Sequence, residues 1–128
     1  MLQLKFVAGG SADCPLLRIS GDDLGVCVQL KEAFERLAEG RLNEICLSEL
    51  PGIEAKDGCR LNACIAGRNR GVVRFVDSDR FDWHMTAAGW DNNAGLIEPF
   101  CERQNLAHFQ WLDSPSDIRV LFSPSGDW

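Results

Sequence analysis

Leu2, Leu4 and Phe6 alternate with Gln3 and Lys5, and this two-residue rhythm is the feature that most restricts what the chain can fold into. A segment of that period can bury one side only as a β-strand. The rhythm returns at Cys59, Leu61, Ala63 and Ile65, at Val73 and Phe75, at Phe81, Trp83 and Met85, and at Ile118, Val120 and Phe122. Shorter runs at 16–19 and 43–47 read the same way, and Phe109 with Trp111 gives 107–112 an inward face. Gly67 to Gly71 reads as the loop of a β-hairpin joining 59–65 to 73–75, and 113–117 as the loop of a second hairpin.

Two segments follow the longer helical period. Cys27, Leu30, Phe34 and Leu37 are spaced three and four apart, after a cap at Asp22 or Asp23 and before Gly40. Trp90, Ala94, Ile97 and Cys101 repeat the pattern after Thr86, a second N-cap. Met85 and Trp90 are placed as a hydrophobic staple across that cap. Pro99 lacks a backbone donor and is expected to kink or end this helix. The order of elements predicts one α+β domain over 1–128, a mostly antiparallel sheet of about six or seven strands with two helices on one face. No internal repeat or linker is visible.

Charge narrows the partners. The formal net charge is −6, the reverse of a nucleic-acid footprint, so no nucleic-acid partner is expected. Arg60, Arg68, Arg70, Arg74 and Arg80 cluster, but Asp57, Asp77 and Asp79 interleave with them, as at solvated strand ends. No run approaches the ~18 apolar residues of a membrane span. The N-terminus does not resemble a basic segment followed by an apolar signal core, so a cytoplasmic chain with no membrane partner is expected.

Six cysteines show no C-x-x-C spacing and no histidine at a zinc-finger interval. They read as small buried hydrophobes; Cys64 and Cys101 are the positions where a reactive thiol could arise. Asp77-Ser78-Asp79 begins like a calcium loop but lacks its glycine and terminal glutamate. Nucleotide-binding glycine motifs and a G-x-S-x-G elbow are absent. Neither metal nor cofactor is expected.

If the apolar strand positions face the helices, their alternates form one wet face carrying Gln3, Lys5, Arg18, Glu44, Arg60, Asn62, Arg74, Asp82, His84, His108, Gln110 and Arg119. His84 and His108, the two histidines, fall on that face with Asp82 nearby, and are the candidate catalytic group, since imidazole transfers protons near neutral pH. Arg60, Arg74 and Gln110 are candidate binding residues on the same face. Trp128 is the fourth; its short Ser-Pro-Ser-Gly-Asp lead favours folding back, and an exposed tryptophan would be an interface anchor. Trp83, Trp90 and Trp111 are expected in the core.

The segments Phe81-Asp82-Trp83 through Trp90-Asp91-Asn92, His108 to Asp113, and Leu121 to Trp128 resemble a type of small, uncharacterised bacterial α+β protein. The short acidic chain is similar in style to immunity proteins of bacterial toxin systems. The resemblance implies a non-enzymatic protein-binding domain, an inhibitor masking a basic partner, and transfers no site residue. The alternative is a small enzyme or ligand-binding domain around His84 and His108.

Overall fold

In the computed structural model, which describes residues 1–128, the chain is an α+β fold of two helices and nine strands. The strands are β1 (Leu2–Val7), β2 (Leu16–Ser20), β3 (Glu44–Cys46), β4 (Ile53–Ala55), β5 (Arg60–Ile65), β6 (Gly71–Arg74), β7 (Arg80–Met85), β8 (Gln110–Leu112) and β9 (Arg119–Ser123). The helices are α1 (Leu24–Ala38) and α2 (Ala87–Glu102). The strands form two mixed sheets, ordered β4-β1-β2-β9-β8 and β3-β5-β7-β6. This corrects the expectation of one mostly antiparallel sheet of fewer strands. The parallel pairs β1/β4, β2/β9 and β5/β7 join strands distant in sequence, which local patterning does not reveal.

Expected termini and stripes are present. Asp23 caps α1, its carboxylate accepting the Val26 amide at 3.1 Å. Thr86 caps α2 through the Gly89 amide at 3.1 Å. Val26, Cys27, Leu30, Ala33, Phe34 and Leu37 form the buried stripe of α1. The two helices pack on each other more extensively than any other pair of elements. Their stripes meet the inner residues of both sheets in one continuous core of 25 buried residues, from Leu2 and Leu4 to Val120 and Phe122. Pro99 does not end α2, which continues to Glu102; Phe100 in the final turn packs edge-on against Phe122 of β9 at 5.1 Å, and that contact holds the turn in place.

The expected hairpin between β5 and β6 is absent. β7 lies between them, parallel to β5 and antiparallel to β6. Phe81, Trp83 and Met85 are all buried, so β7 takes a central position, whereas β6, with Val73 exposed and Phe75 exposed just beyond its end, is left at the edge. The 66–70 loop therefore passes over the end of β7. Along the way Ala66 donates to the Met85 carbonyl at 2.9 Å and Arg70 to the His84 carbonyl at 3.0 Å. Asn69 Oδ1 accepts from the Thr86 amide at 2.8 Å and hydroxyl at 3.0 Å. Where β6 begins, Gly71 has φ +76°, and a Cβ there would meet the Ser116 nitrogen at 2.8 Å. That close approach lets Ser114 and Ser116 both accept the Val72 amide at 3.1 Å, tying the edge of one sheet to the loop before β9. The strand β4 escaped sequence reading because three residues between Pro51-Gly52 and Asp57-Gly58 are too few to show a period.

The last hairpin also corrects the expected parity. β8 starts at Gln110, and Leu112 takes the inward place opposite Val120. Phe109 and Trp111 therefore point to the outer side. Trp111 is half-buried beneath the Arg119 guanidinium, 3.8 Å above its ring, and Phe109 is exposed.

The two halves of the chain follow one path. In 1–65, the antiparallel pair β1/β2 lies in the first sheet, α1 follows, and the antiparallel pair β3/β5 enters the second. In 66–128, β6/β7 lies in the second sheet, α2 follows, and β8/β9 enters the first. In each half the strand before the helix pairs in parallel with the last strand of the other half, β2 with β9 and β7 with β5. β4 is an addition to the first half. The repeat is one of topology.

Replacing Trp90 by alanine removes a side chain that touches both Phe34 and Trp83. We expect about 3–5 kcal/mol of destabilisation in urea unfolding, against less than about 0.5 kcal/mol for alanine at the exposed Val76. Equal midpoints for the two variants would contradict this assignment of the core. Gly71→Ala is expected to destabilise as well, by about 1–3 kcal/mol, through its positive φ and the Ser116 contact.

Candidate functional site

Two sheets give the polar strand positions two separate outer faces in place of the single face expected from sequence. On the second sheet, strand register sets Glu44, Cys64 and His84 side by side, with Cys46, Asn62 and Asp82 in the next row. Asn62 donates its side-chain amide to Asp82 at 3.2 Å, and Ser48 contacts Cys46 at 3.2 Å. Cys64 donates to the Asn62 carbonyl. Burial, with Asp82 and Glu44 nearby, pushes its thiol up to about 11, so this row holds a protonated thiol rather than a nucleophile. No group of three or more His, Cys, Asp or Glu side chains is arranged to hold a metal ion.

His108 is elsewhere, in the segment before β8, where it lines a groove of about 330 Å³ with Leu106, Ala107, Phe109, Ser125, Asp127 and Trp128. No cavity is lined by both histidines. Asp82 accompanies His84 on β7, not His108. The candidate catalytic group is thus divided between β7 of the second sheet and the segment before β8.

The four candidate binding residues are also dispersed. Arg60 is exposed and 3.5 Å from Glu49. Arg74 lies over the rings of Phe6 and Phe81, at 4.8 and 5.6 Å, and donates to the Ser78 carbonyl at 2.8 Å; these contacts close the β6/β7 turn. Gln110 is half-buried and its amide donates to the Trp111 carbonyl at 2.9 Å, covering a main-chain acceptor near the sheet edge. Trp128 does fold back. Ser123 donates to the Asp127 carbonyl at 2.6 Å, the Gly21 amide donates to the Pro124 carbonyl at 3.0 Å, and Arg18 donates to the Gly126 carbonyl at 3.3 Å. The tail so held leaves Trp128 37% exposed at the groove.

Leu106 and Phe109, exposed at 51% and 44%, are the groove residues that sequence reading missed. Phe109 was hidden by the one-residue shift in strand parity, and Leu106 lies in no periodic segment. The largest cavity, about 380 Å³, is lined by Asn69, Met85, Trp111, Leu112, Asp113, Ser114, Pro115 and Arg119. Its polar groups are largely committed to the fold: Asn69 accepts from Thr86, Ser114 holds Val72, and the Asp113 carboxylate accepts from Asn92.

The thiols give this structure a pH dependence. Burial, with the charge of nearby Cys101, pushes Cys27 up to about 12, and burial pushes Cys59 and Cys101 up to about 11. A thiol whose folded pKa exceeds its ordinary value of 9.0 supports the native state fully below pH 9.0 and loses that support as pH rises toward the folded value. We expect the Tm to fall between pH 9.0 and about 11, with a shallower slope in Cys27→Ala. A Tm that stays flat across the interval would contradict the burial of these groups.

Comparison with protein-family models, characterised proteins and solved structures finds no match.

Proposed function

We propose that the chain is a non-enzymatic protein-binding domain that masks a basic partner through carboxylates on its helical surface, in the manner of an immunity-type inhibitor of a bacterial toxin. The observation that carries this reading is the charge on the outward side of the helix pair. Glu32, Asp91, Glu98 and Glu102 are exposed there, and Glu35 is half-buried. Lys31 lies 3.6 Å from Glu98 and 4.0 Å from Glu35, so these two carboxylates share one surface and a single cation. Glu32, Asp91 and Glu102 have no ion-pair partner. Surface pairs of this kind add little to stability, whereas unbalanced carboxylates attract an oppositely charged surface and speed its approach.

The same residues supply the test. Glu32, Glu98 and Glu102 are exposed helix positions, so Glu32→Lys, Glu98→Lys and Glu102→Lys together leave the core untouched. Affinity capture from the native host is expected to recover one basic protein in stoichiometric amount. Binding should weaken as salt rises and become about tenfold weaker or more with the reversed charges. Co-expression with the captured protein should relieve any toxicity it has. Equal capture by the parent and the charge-reversed protein, or clean binding of a small molecule with no protein recovered, would overturn the reading.

A further inference from the structure

The largest cavity, about 380 Å³, lies where the end of β7 in the second sheet meets the β8/β9 hairpin of the first. Its volume falls in the lower range of small-molecule sites. Leu112 is the last residue of β8 to pair, with Val120, so Asp113 and Arg119 hold the next opposing positions of that hairpin. Opposite charges so placed favour each other. Here both line the cavity, and Arg119 pairs with Asp13 instead. Asp113 is held from behind: its amide donates to Asn93 Oδ1 at 2.7 Å, its carbonyl accepts from the Trp83 indole at 2.9 Å, and one carboxylate oxygen accepts from Asn92. The Arg119 guanidinium lies 3.8 Å over the Trp111 ring and donates to Asp13 at 2.9 Å. The second Asp113 oxygen and the other guanidinium N–H groups have no partner in the chain.

Asn93 shows what this placement costs. It is fully buried, and its Nδ2 has no acceptor, an uncommon state for a buried donor. The chain forgoes that bond while Asn93 holds Asp113 in position, and departures of this kind gather at functional sites. We propose that the cavity binds a free amino acid with an apolar side chain, its ammonium group on Asp113 and its carboxylate on Arg119. A simple anion entering here meets the Asp113 carboxylate, and a simple cation meets the Arg119 guanidinium. A molecule that carries both charges satisfies both walls at once. Met85, Trp111 and Leu112 supply the apolar part of the lining. That part suits an aliphatic or aromatic side chain and leaves the polar groups of any other unpaired.

This inference goes beyond the basic-partner reading and does not depend on it, since no helix carboxylate lines the cavity and reversing those charges should leave it unchanged. Amide NMR titration with L-leucine, L-methionine and L-phenylalanine, each to its solubility limit, tests it directly. At least one is expected to give saturable shifts centred on Asn69, Met85, Leu112, Asp113 and Arg119. Leucine methyl ester, which lacks the carboxylate, and N-acetyl-leucine, which lacks the ammonium, should each bind about tenfold more weakly or worse. Asp113→Asn keeps the main-chain bonds and an oxygen for Asn92, so the fold should persist, as checked by the amide spectrum. It and Arg119→Gln are each expected to weaken binding about tenfold or more, whereas Asp77→Asn, at an exposed position in the β6/β7 turn, should not. The absence of saturable shifts with all three amino acids overturns the inference, as do shifts centred elsewhere or equal affinity in Asp113→Asn and the parent.

Discussion

The contact between Trp83 and Trp90 is the point on which the structure depends. Their rings lie 4.8 Å apart in an edge arrangement, and Phe34 closes the group at 5.6 Å from one and 5.2 Å from the other. All three side chains are fully buried. Aromatic pairs of this geometry add about 0.5–1.5 kcal/mol each beyond the burial of their area. A buried indole must also find an acceptor for its N–H. Trp83 donates to the Asp113 carbonyl at 2.9 Å and Trp90 to the Cys64 carbonyl at 3.0 Å. The acceptors lie just past β8 and on β5, so two indoles link α1, α2, the second sheet and the hairpin that completes the first.

Much of this framework was legible in the residues. The alternation in β1 and β7, the helical stripes and both N-caps follow from local stereochemistry, and local stereochemistry is what a sequence displays. The division into two sheets was not legible, because it rests on parallel pairings between β2 and β9 and between β5 and β7. Nothing near Leu17 indicates that Val120 will lie beside it. The inward side of β8 was misread for another reason: three residues offer two equally good parities, and only the packing of Leu112 against Val120 selects between them. That shift exposes Phe109 and brings Trp111 under Arg119, so the error in parity also concealed the groove. Of the candidate site residues, Trp128 was legible as a tethered tail, whereas the separation of His84 from His108 follows from the sheet division.

The surface divides its chemistry by layer. The helical layer gathers carboxylates around Lys31 and Arg36. The outer face of the second sheet carries Asn62, Asp82 and His84 in register with a protonated thiol. The C-terminal turn of the first sheet holds the apolar groove. The acidic character of the chain is therefore unevenly distributed over its surface.

The path shared by the two halves has a kinetic consequence. Since each sheet borrows its central parallel neighbour from the other half, neither half can complete a sheet while the other is unfolded. Contacts of such long sequence separation must wait for the whole chain, and a topology dominated by them folds slowly. The crossover at 66–70 is thus a covalent link between partners that already interlock. Severing it would leave two fragments, each the missing portion of its neighbour's sheets, still joined by backbone pairing, by the packing of α1 on α2 and by the shared core.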